Sequence, residues 1–190
     1  MNLAPYRPRS PARPPAVVHR AAIPASAWHG QLRDGALLHV WGDVAVAADT
    51  APDARLRAQA VAALVPPRAV VGRRTALWVH VGRPAPERLE VLVGRGCRHT
   101  SPHPLRVSAE AELGPADVER IAAIRVTTVQ RTGTDLARWL PPDLALPLVA
   151  SLLPAGFDVE RARHELALLR GQRNVSQARR TLAVLAGLSE

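Results

Sequence analysis

The polar residues with the most informative spacing lie between positions 124 and 138, in the segment I-R-V-T-T-V-Q-R-T-G-T-D-L-A-R. A β-branched run ends at Thr128, which is a favourable N-cap for a following helix. Arg131 and Asp135 are four residues apart and share one face of that helix, so they can form an ion pair. Together with Thr132, these residues predict a structural clasp that holds a neighbouring loop, because partly buried charges need partners.

A second cluster contains residue types that bind metals, namely Cys97, His99 and His103. Structural zinc sites usually take paired ligands from two separate places in the chain, and no fourth ligand is evident here. Arg95 and Arg98 in the same loop disfavour a cation. We therefore predict a solvated loop over residues 94–104, and neither a metal nor another cofactor.

The common catalytic motifs are absent from the sequence. It contains no G-x-S-x-G nucleophile elbow and no glycine-rich phosphate loop. A nuclease of the PD-(D/E)XK kind needs a lysine or its equivalent, and every one of the 25 basic residues is an arginine. The sequence thus predicts a protein that is not an enzyme.

The basic residues point to an anionic partner, since the formal net charge is +9. Arginine is permanently charged and can bind phosphates or carboxylates with two hydrogen bonds. We identify three groups as candidates for nucleic-acid binding, in the N-terminal arm, at a helix start and on the last helix. They are Arg7, Arg9, Arg13, Arg73, Arg74, Arg179 and Arg180. Charge alone leaves three explanations open: nucleic acid, an acidic protein partner, or a general basicity like that of ribosomal proteins.

The composition also bounds the class and location of the protein. Aromatic residues make up only 3% of its 190 residues, so Ala, Val and Leu must build the core. No apolar run approaches the roughly 18 residues that a transmembrane helix needs. The N-terminus lacks the apolar stretch of a secretory signal. With a single cysteine, these features predict a cytoplasmic protein without a membrane partner.

The N-terminal part of the chain divides into an arm and a small motif. Residues 1–20 are rich in Pro and Arg and predict an extended, disordered arm. Residues 21–50 predict a short helix over 24–32 and a β-hairpin that turns at Gly42-Asp43, which resembles the wing of a winged helix. No helices precede that motif, so a recognition helix in the major groove is not expected.

Residues 51–190 predict an α+β domain. Helices are expected over 53–64 and 72–80, with Trp78 turned inward. Four strands are expected over 89–93, 105–108, 117–121 and 124–127. A helix follows from Thr128 to Leu140, and Asp143 is expected to cap the next one, with Pro147 in or near its first turn. Asp158 is expected to cap the next helix. That helix and the last one have matching apolar stripes and are expected to form an antiparallel hairpin on one face of the sheet.

Three segments resemble the AbiEi-type antitoxins of type IV toxin–antitoxin systems. Residues 35–48 are similar to the wing of that family, residues 73–80 (R-R-T-A-L-W-V-H) to its T-A-x-x-L/V-H helix, and residues 126–138 to its V-T-x-x-x-R-T-x-x-D-L-A-R segment. The resemblance implies a regulator that binds operator DNA and neutralises a nucleotidyltransferase toxin. It implies a shortened form, without a complete winged helix and without the nuclease-like C-terminal domain of longer relatives.

The sequence as a whole predicts a small mixed or antiparallel sheet packed by C-terminal helices and preceded by a wing-like hairpin. The predicted function is non-enzymatic binding of DNA, mainly through its phosphate backbone, of a toxin-like partner, or of both. The alternative is a protein-interaction module for an acidic partner that has no role with nucleic acid.

Overall fold

The computed structural model describes residues 17–94, 96, 101–169 and 171–187. Within these residues the chain is a mixed α+β protein, as predicted, with eight strands in two sheets and seven α-helices. The chain divides into two compact units, residues 1–51 and residues 52–190. The first sixteen residues, which include Arg7, Arg9 and Arg13, lie outside the described residues.

The first unit contains a three-stranded antiparallel sheet and one α-helix. Its strands are β1 (Val18–His19), β2 (Leu37–Trp41) and β3 (Val44–Ala47), in the order β1-β3-β2. Helix α1 (Ala25–Arg33) precedes the predicted hairpin, and Trp28 on α1 packs with Leu37 and Ala45 in a small core. The prediction that residues 1–20 lack regular structure is wrong for Val18–His19, because these residues pair with β3.

The second unit contains a five-stranded mixed sheet. Its strands are β4 (Val70–Val71), β5 (Leu89–Val93), β6 (Arg106–Glu110), β7 (Val118–Ile121) and β8 (Ile124–Thr127). They lie in the order β6-β5-β4-β8-β7. The sequence did not indicate β4, which is central: it pairs with β5 in antiparallel orientation and with β8 in parallel orientation.

The helices of this unit follow the predicted segments closely. They are α2 (Ala54–Val61), α3 (Arg73–Val81), α4 (Val129–Trp139), α5 (Pro142–Ala150), α6 (Val159–Leu168) and α7 (Val175–Gly187). Asp53 and Asp158 cap α2 and α6 with their carboxylates, which satisfies backbone N–H groups that a helix start leaves free.

The start of α5 differs from its prediction. Its N-cap is Pro141, and Asp143 lies in the first turn without capping the helix. Pro147 lies inside α5 and not in its first turn. The segment Pro141-Pro142-Asp143 contains two possible helix starts, the proline pair and the aspartate. The helix starts at the proline pair because the fixed φ of proline fits the first helical positions.

Helices α3 and α4 contact the sheet, and the α6–α7 hairpin packs on α4 and α5. The shared core is aliphatic, with Leu77, Leu136, Leu166 and Leu182 fully buried. Phe157 joins this core against Gly133 of α4, where an added Cβ would lie only 2.3 Å from the Phe157 ring. Trp78 is 3% exposed, so its predicted inward orientation is confirmed.

Candidate anion-binding site

The start of α4 is fixed by hydroxyl groups at the end of β8. Thr128 caps the helix as predicted, and its Oγ1 accepts a hydrogen bond from Arg131 N at 3.3 Å. The hydroxyl oxygens of Thr127 and Thr132 lie 2.7 Å apart and are both buried. These bonds join strand and helix rigidly, so the side chains that leave the next turn of α4 have defined positions.

Arg131 connects α4 to the loop that precedes β7. Its Nη1 donates to Asp117 Oδ2 at 2.9 Å and to the carbonyl oxygen of Glu112 at 3.0 Å. Its Nε donates to Asp135 Oδ2 at 3.0 Å. The same Asp117 carboxylate oxygen accepts from Gly114 N. Thr128, Arg131, Thr132 and Asp135 therefore have the positions of the predicted clasp.

Asp135 is the most buried charged group at this site, with a side chain that is 2% exposed. Burial raises the pKa of its carboxyl because the ionised form loses hydration, while Arg131 acts in the opposite direction by charge and by hydrogen bonding. Among the described residues its Oδ1 has no hydrogen-bond partner. Burial also lowers the pKa of the Arg138 guanidinium, one turn further along α4.

Three arginines converge on one indole ring next to this clasp. The Cζ atoms of Arg73, Arg138 and Arg173 lie 5.1, 5.6 and 5.7 Å from the Trp139 ring centroid. They come from the start of α3, the end of α4 and the α6–α7 connection. A guanidinium within about 6 Å of an aromatic face gains roughly 0.5–1 kcal/mol at an exposed site. This attraction brings together three cations that repel one another.

None of the three arginines forms an ion pair among the residues that the structure describes. Arg138 Nη2 donates to the carbonyl oxygen of Arg173 at 3.1 Å and lies 3.4 Å from Gln172 Oε1. Within the same described ranges, the buried Nε atoms of Arg73 and Arg138 have no hydrogen-bond partner. The cluster is thus positively charged and retains free donors.

Arg73 reaches this cluster from a strained backbone. Its φ is +50°, a left-handed conformation that costs a non-glycine residue of the order of 1 kcal/mol. Gly72 before it is buried, and a Cβ there would lie 2.6 Å from a methyl carbon of Leu92. Close packing of α3 on β5 therefore holds the chain in the conformation that directs Arg73 towards Trp139.

The arginines surround a pocket of about 560 Å³. We call it the Arg–Trp pocket, formed by Arg73, Arg131, Asp135, Arg138, Trp139 and Arg173. Glu110 and Glu112 also line it and are exposed. The volume is within the range of small-molecule sites. Its chemistry suits an anion with several oxygen acceptors.

The other predicted binding arginines are not part of this pocket. Arg74 pairs with Glu90, whose carboxylate also accepts from Arg74 N at 2.8 Å. Arg179 Nη2 donates to the carbonyl oxygen of Leu166 at 2.9 Å and so links the two helices of the hairpin. Arg180 is exposed on α7. Of the folded candidates, only Arg73 lies in the pocket.

Arg138, Trp139 and Arg173 are not among the site residues predicted from the sequence. A weak local signal existed, because Arg138-Trp139 is a cation next to an aromatic residue at a helix end. Arg173 is 34 residues further along the chain, and only the packing of the α6–α7 hairpin on α4 brings it near.

The remaining candidates are the three possible metal ligands, Cys97, His99 and His103. Cys97 and His99 lie outside the described residues, whereas His103 Nδ1 accepts from Leu105 N at 3.1 Å. In the ranges that the structure describes, no group of three His, Cys, Asp or Glu residues could hold a metal ion. Over the same ranges, no helix is long and apolar enough to cross a membrane.

Comparison with known proteins gives a distant structural likeness. No protein-family model and no curated protein matches the sequence. Among solved structures, the chain is similar to the RV2827C protein from Mycobacterium tuberculosis, with 14% sequence identity and a TM-score of 0.44. The similarity covers 90% of this chain and 76% of the other.

Proposed function

We propose that this protein is a non-enzymatic, antitoxin-like or transcription-regulator-like protein that binds DNA mainly through its phosphate groups. In this proposal it acts in the cytoplasm and needs no cofactor. The observation that carries the proposal is the convergence of Arg73, Arg138 and Arg173 on Trp139, where none of them forms an ion pair with an acidic side chain of the described residues. Three guanidinium groups in one place favour a ligand rich in anionic oxygens.

The charge of the whole chain supports the same proposal. A net charge of +9 attracts a polyanion over long range and raises the rate of encounter. Arg173 and Arg180 are exposed near or on α7 and are available to phosphates on a nearby backbone. Arginine contacts to phosphate carry little sequence information, so we expect affinity without strong base preference.

A salt series tests this function directly. An electrophoretic shift assay with duplex DNA should show binding at low salt, and the logarithm of the binding constant should fall linearly with the logarithm of the salt concentration. Absence of binding at low salt would remove DNA from the proposal. Deleting residues 1–16, which precede β1, separates the arm from the folded cations: unchanged affinity excludes Arg7, Arg9 and Arg13 as contacts.

The second candidate is a protein partner, either a toxin or another acidic protein. The same three arginines favour it, because guanidinium groups bind carboxylates as well as phosphates. A partner that binds through them should compete with DNA. If DNA does not bind at low salt but an acidic protein encoded by a neighbouring gene co-purifies with the chain, and Arg173→Gln releases it, this second candidate is correct.

A further inference from the structure

The Arg–Trp pocket combines cations inside with an acid at its exposed side. Arg73 and Arg138 are half-buried, whereas Glu110 is exposed. A continuous nucleic-acid backbone that crossed the pocket would carry a phosphate past the Glu110 carboxylate and would be repelled there. A ligand that ends inside the pocket avoids this repulsion. The charge arrangement thus favours a compact anionic group over a chain that passes through.

The three guanidinium groups around Trp139 favour a ligand with several acceptor oxygens and a high negative charge. Arg73, Arg138 and Arg173 bring cationic N–H donors from three separate segments to one place. An internal phosphodiester has two free oxygens and one negative charge. A phosphomonoester has three free oxygens and a charge of about −1.5 to −2 near pH 7, since its second pKa is about 6.

We propose that the Arg–Trp pocket binds a phosphomonoester group, with its three free oxygens towards Arg73, Arg138 and Arg173. The strained conformation of Arg73 is then a feature of the site, since it directs one of the three guanidinium groups into the pocket. Trp139 serves as the platform on which these groups are held. Arg131 does not contribute a free charge, because Asp135 and Asp117 already pair with it.

This inference rests on the proposed function in one respect, which is that the arginine cluster is a phosphate site. The phosphomonoester has two possible sources, the terminal phosphate of a DNA strand or a free phosphorylated small molecule. Both present the same group to the pocket. Under either source, internal DNA phosphates contact the exposed arginines, namely Arg173 at the edge of the pocket and Arg180 on α7.

The test compares two ends of the same DNA. Fluorescence anisotropy measures the affinity of the full chain for a short duplex with 5′-phosphate ends and for the same duplex with 5′-hydroxyl ends. Calorimetry measures the binding of inorganic phosphate. The terminal phosphate should improve affinity about tenfold if it forms charge-assisted hydrogen bonds with two or three arginines. Arg73→Gln and Arg138→Gln should each abolish the preference.

Arg55→Gln is the matched control. Arg55 is exposed on α2 of the same unit, and its substitution removes the same charge as the pocket variants do. It should retain the preference for the phosphorylated end. If Arg73→Gln does not fold, the exposed Arg173→Gln replaces it. A preference for the phosphorylated duplex that is lost in the pocket variants assigns the site to DNA ends.

Pocket-dependent binding of inorganic phosphate without any end preference assigns the site to a free small phosphomonoester. Equal affinity for both duplexes, together with no binding of inorganic phosphate, overturns the inference while leaving the DNA function intact. Equal effects of Arg55→Gln and the pocket variants overturn it as well. If inorganic phosphate binds in the pocket and neither duplex binds at low salt, the DNA function fails and the pocket assignment stands.

Discussion

Arg131 and Asp135 are joined by a 3.0 Å hydrogen bond one turn apart on α4, at a carboxylate that is 2% exposed. The carboxylate accepts a hydrogen bond from a guanidinium, and loss of such a bond at a buried position costs about 1–3 kcal/mol. We therefore expect Asp135→Asn to lower the free energy of unfolding by about 2 kcal/mol in urea denaturation. The amide keeps the shape of the side chain, so the loss reports the hydrogen bond with Arg131.

Asp117→Asn is the control for this substitution, because Asp117 binds the same guanidinium from a position that is 32% exposed. Its loss should be about 1 kcal/mol, as solvent screens the charge that remains. Equal losses for the two variants would contradict the assignment of Asp135 as the buried centre of the clasp.

The pKa of Asp135 predicts a dependence of stability on pH. Burial raises this pKa above its ordinary value, so the folded state binds the proton more tightly than the unfolded state does. The stabilisation from this group is present at low pH and is lost as the pH rises through the raised pKa. The difference in unfolding free energy between the wild type and Asp135→Asn should therefore grow as the pH falls from about 7 towards the ordinary value near 4.

Urea titrations of both proteins at several pH values measure this difference, and other titrating groups cancel in the comparison. A difference that shrinks on acidification would mean that Arg131 keeps the carboxyl ionised and its pKa low.

The backbone of Arg73 predicts an unusual order of two substitutions. At a helix position with φ of +50°, glycine has no steric penalty and alanine has one. Arg73→Gly should thus be more stable than Arg73→Ala by about 1 kcal/mol, the reverse of the order inside an ordinary helix. Thermal denaturation of the two variants measures the order. An alanine variant of equal or greater stability would show that Arg73 is not strained.

The contact between α4 and Phe157 predicts the effect of a single methyl group. Gly133→Ala should lower the free energy of unfolding by about 1–3 kcal/mol, because the new Cβ would lie 2.3 Å from the Phe157 ring. Gly187→Ala on α7 is the comparison, since a Cβ there meets no atom within 4 Å. Its stability should stay within about 0.5 kcal/mol of the wild type. Similar losses for the two variants would show that the Phe157 ring does not pack against Gly133.

Local signals allowed most of the elements to be predicted. The cap at Thr128 and the pairing of Arg131 with Asp135 involve residues at most four apart, so spacing alone indicates them. Strands β1 and β4 were missed because each has two residues, too few for an alternating pattern. These residues are extended because they form hydrogen bonds with strands that are distant in the sequence, and a local pattern does not show such pairing.

The site could be predicted only in part, for a related reason. The charge of Arg73 made it a predicted binding residue, but its position in the site depends on Trp139. Trp139 lies 66 positions away in the sequence, and the packing of α3 on α4 brings the two side chains into contact. Arg74 and Arg179 have the same residue type, yet a distant carboxylate and a distant carbonyl group occupy them. Charge indicates candidates, and tertiary partners determine which of them stay free.

The central claim is that the arginines around Trp139 are the folded phosphate site. Its most direct test is the anisotropy of labelled duplex DNA over a range of salt concentrations with Arg173→Gln and Arg55→Gln. Arg173→Gln should weaken binding and lower the slope of log affinity against log salt by about one, as expected for one lost phosphate contact, whereas Arg55→Gln should keep the wild-type slope. Identical slopes and affinities for the two variants would contradict the claim.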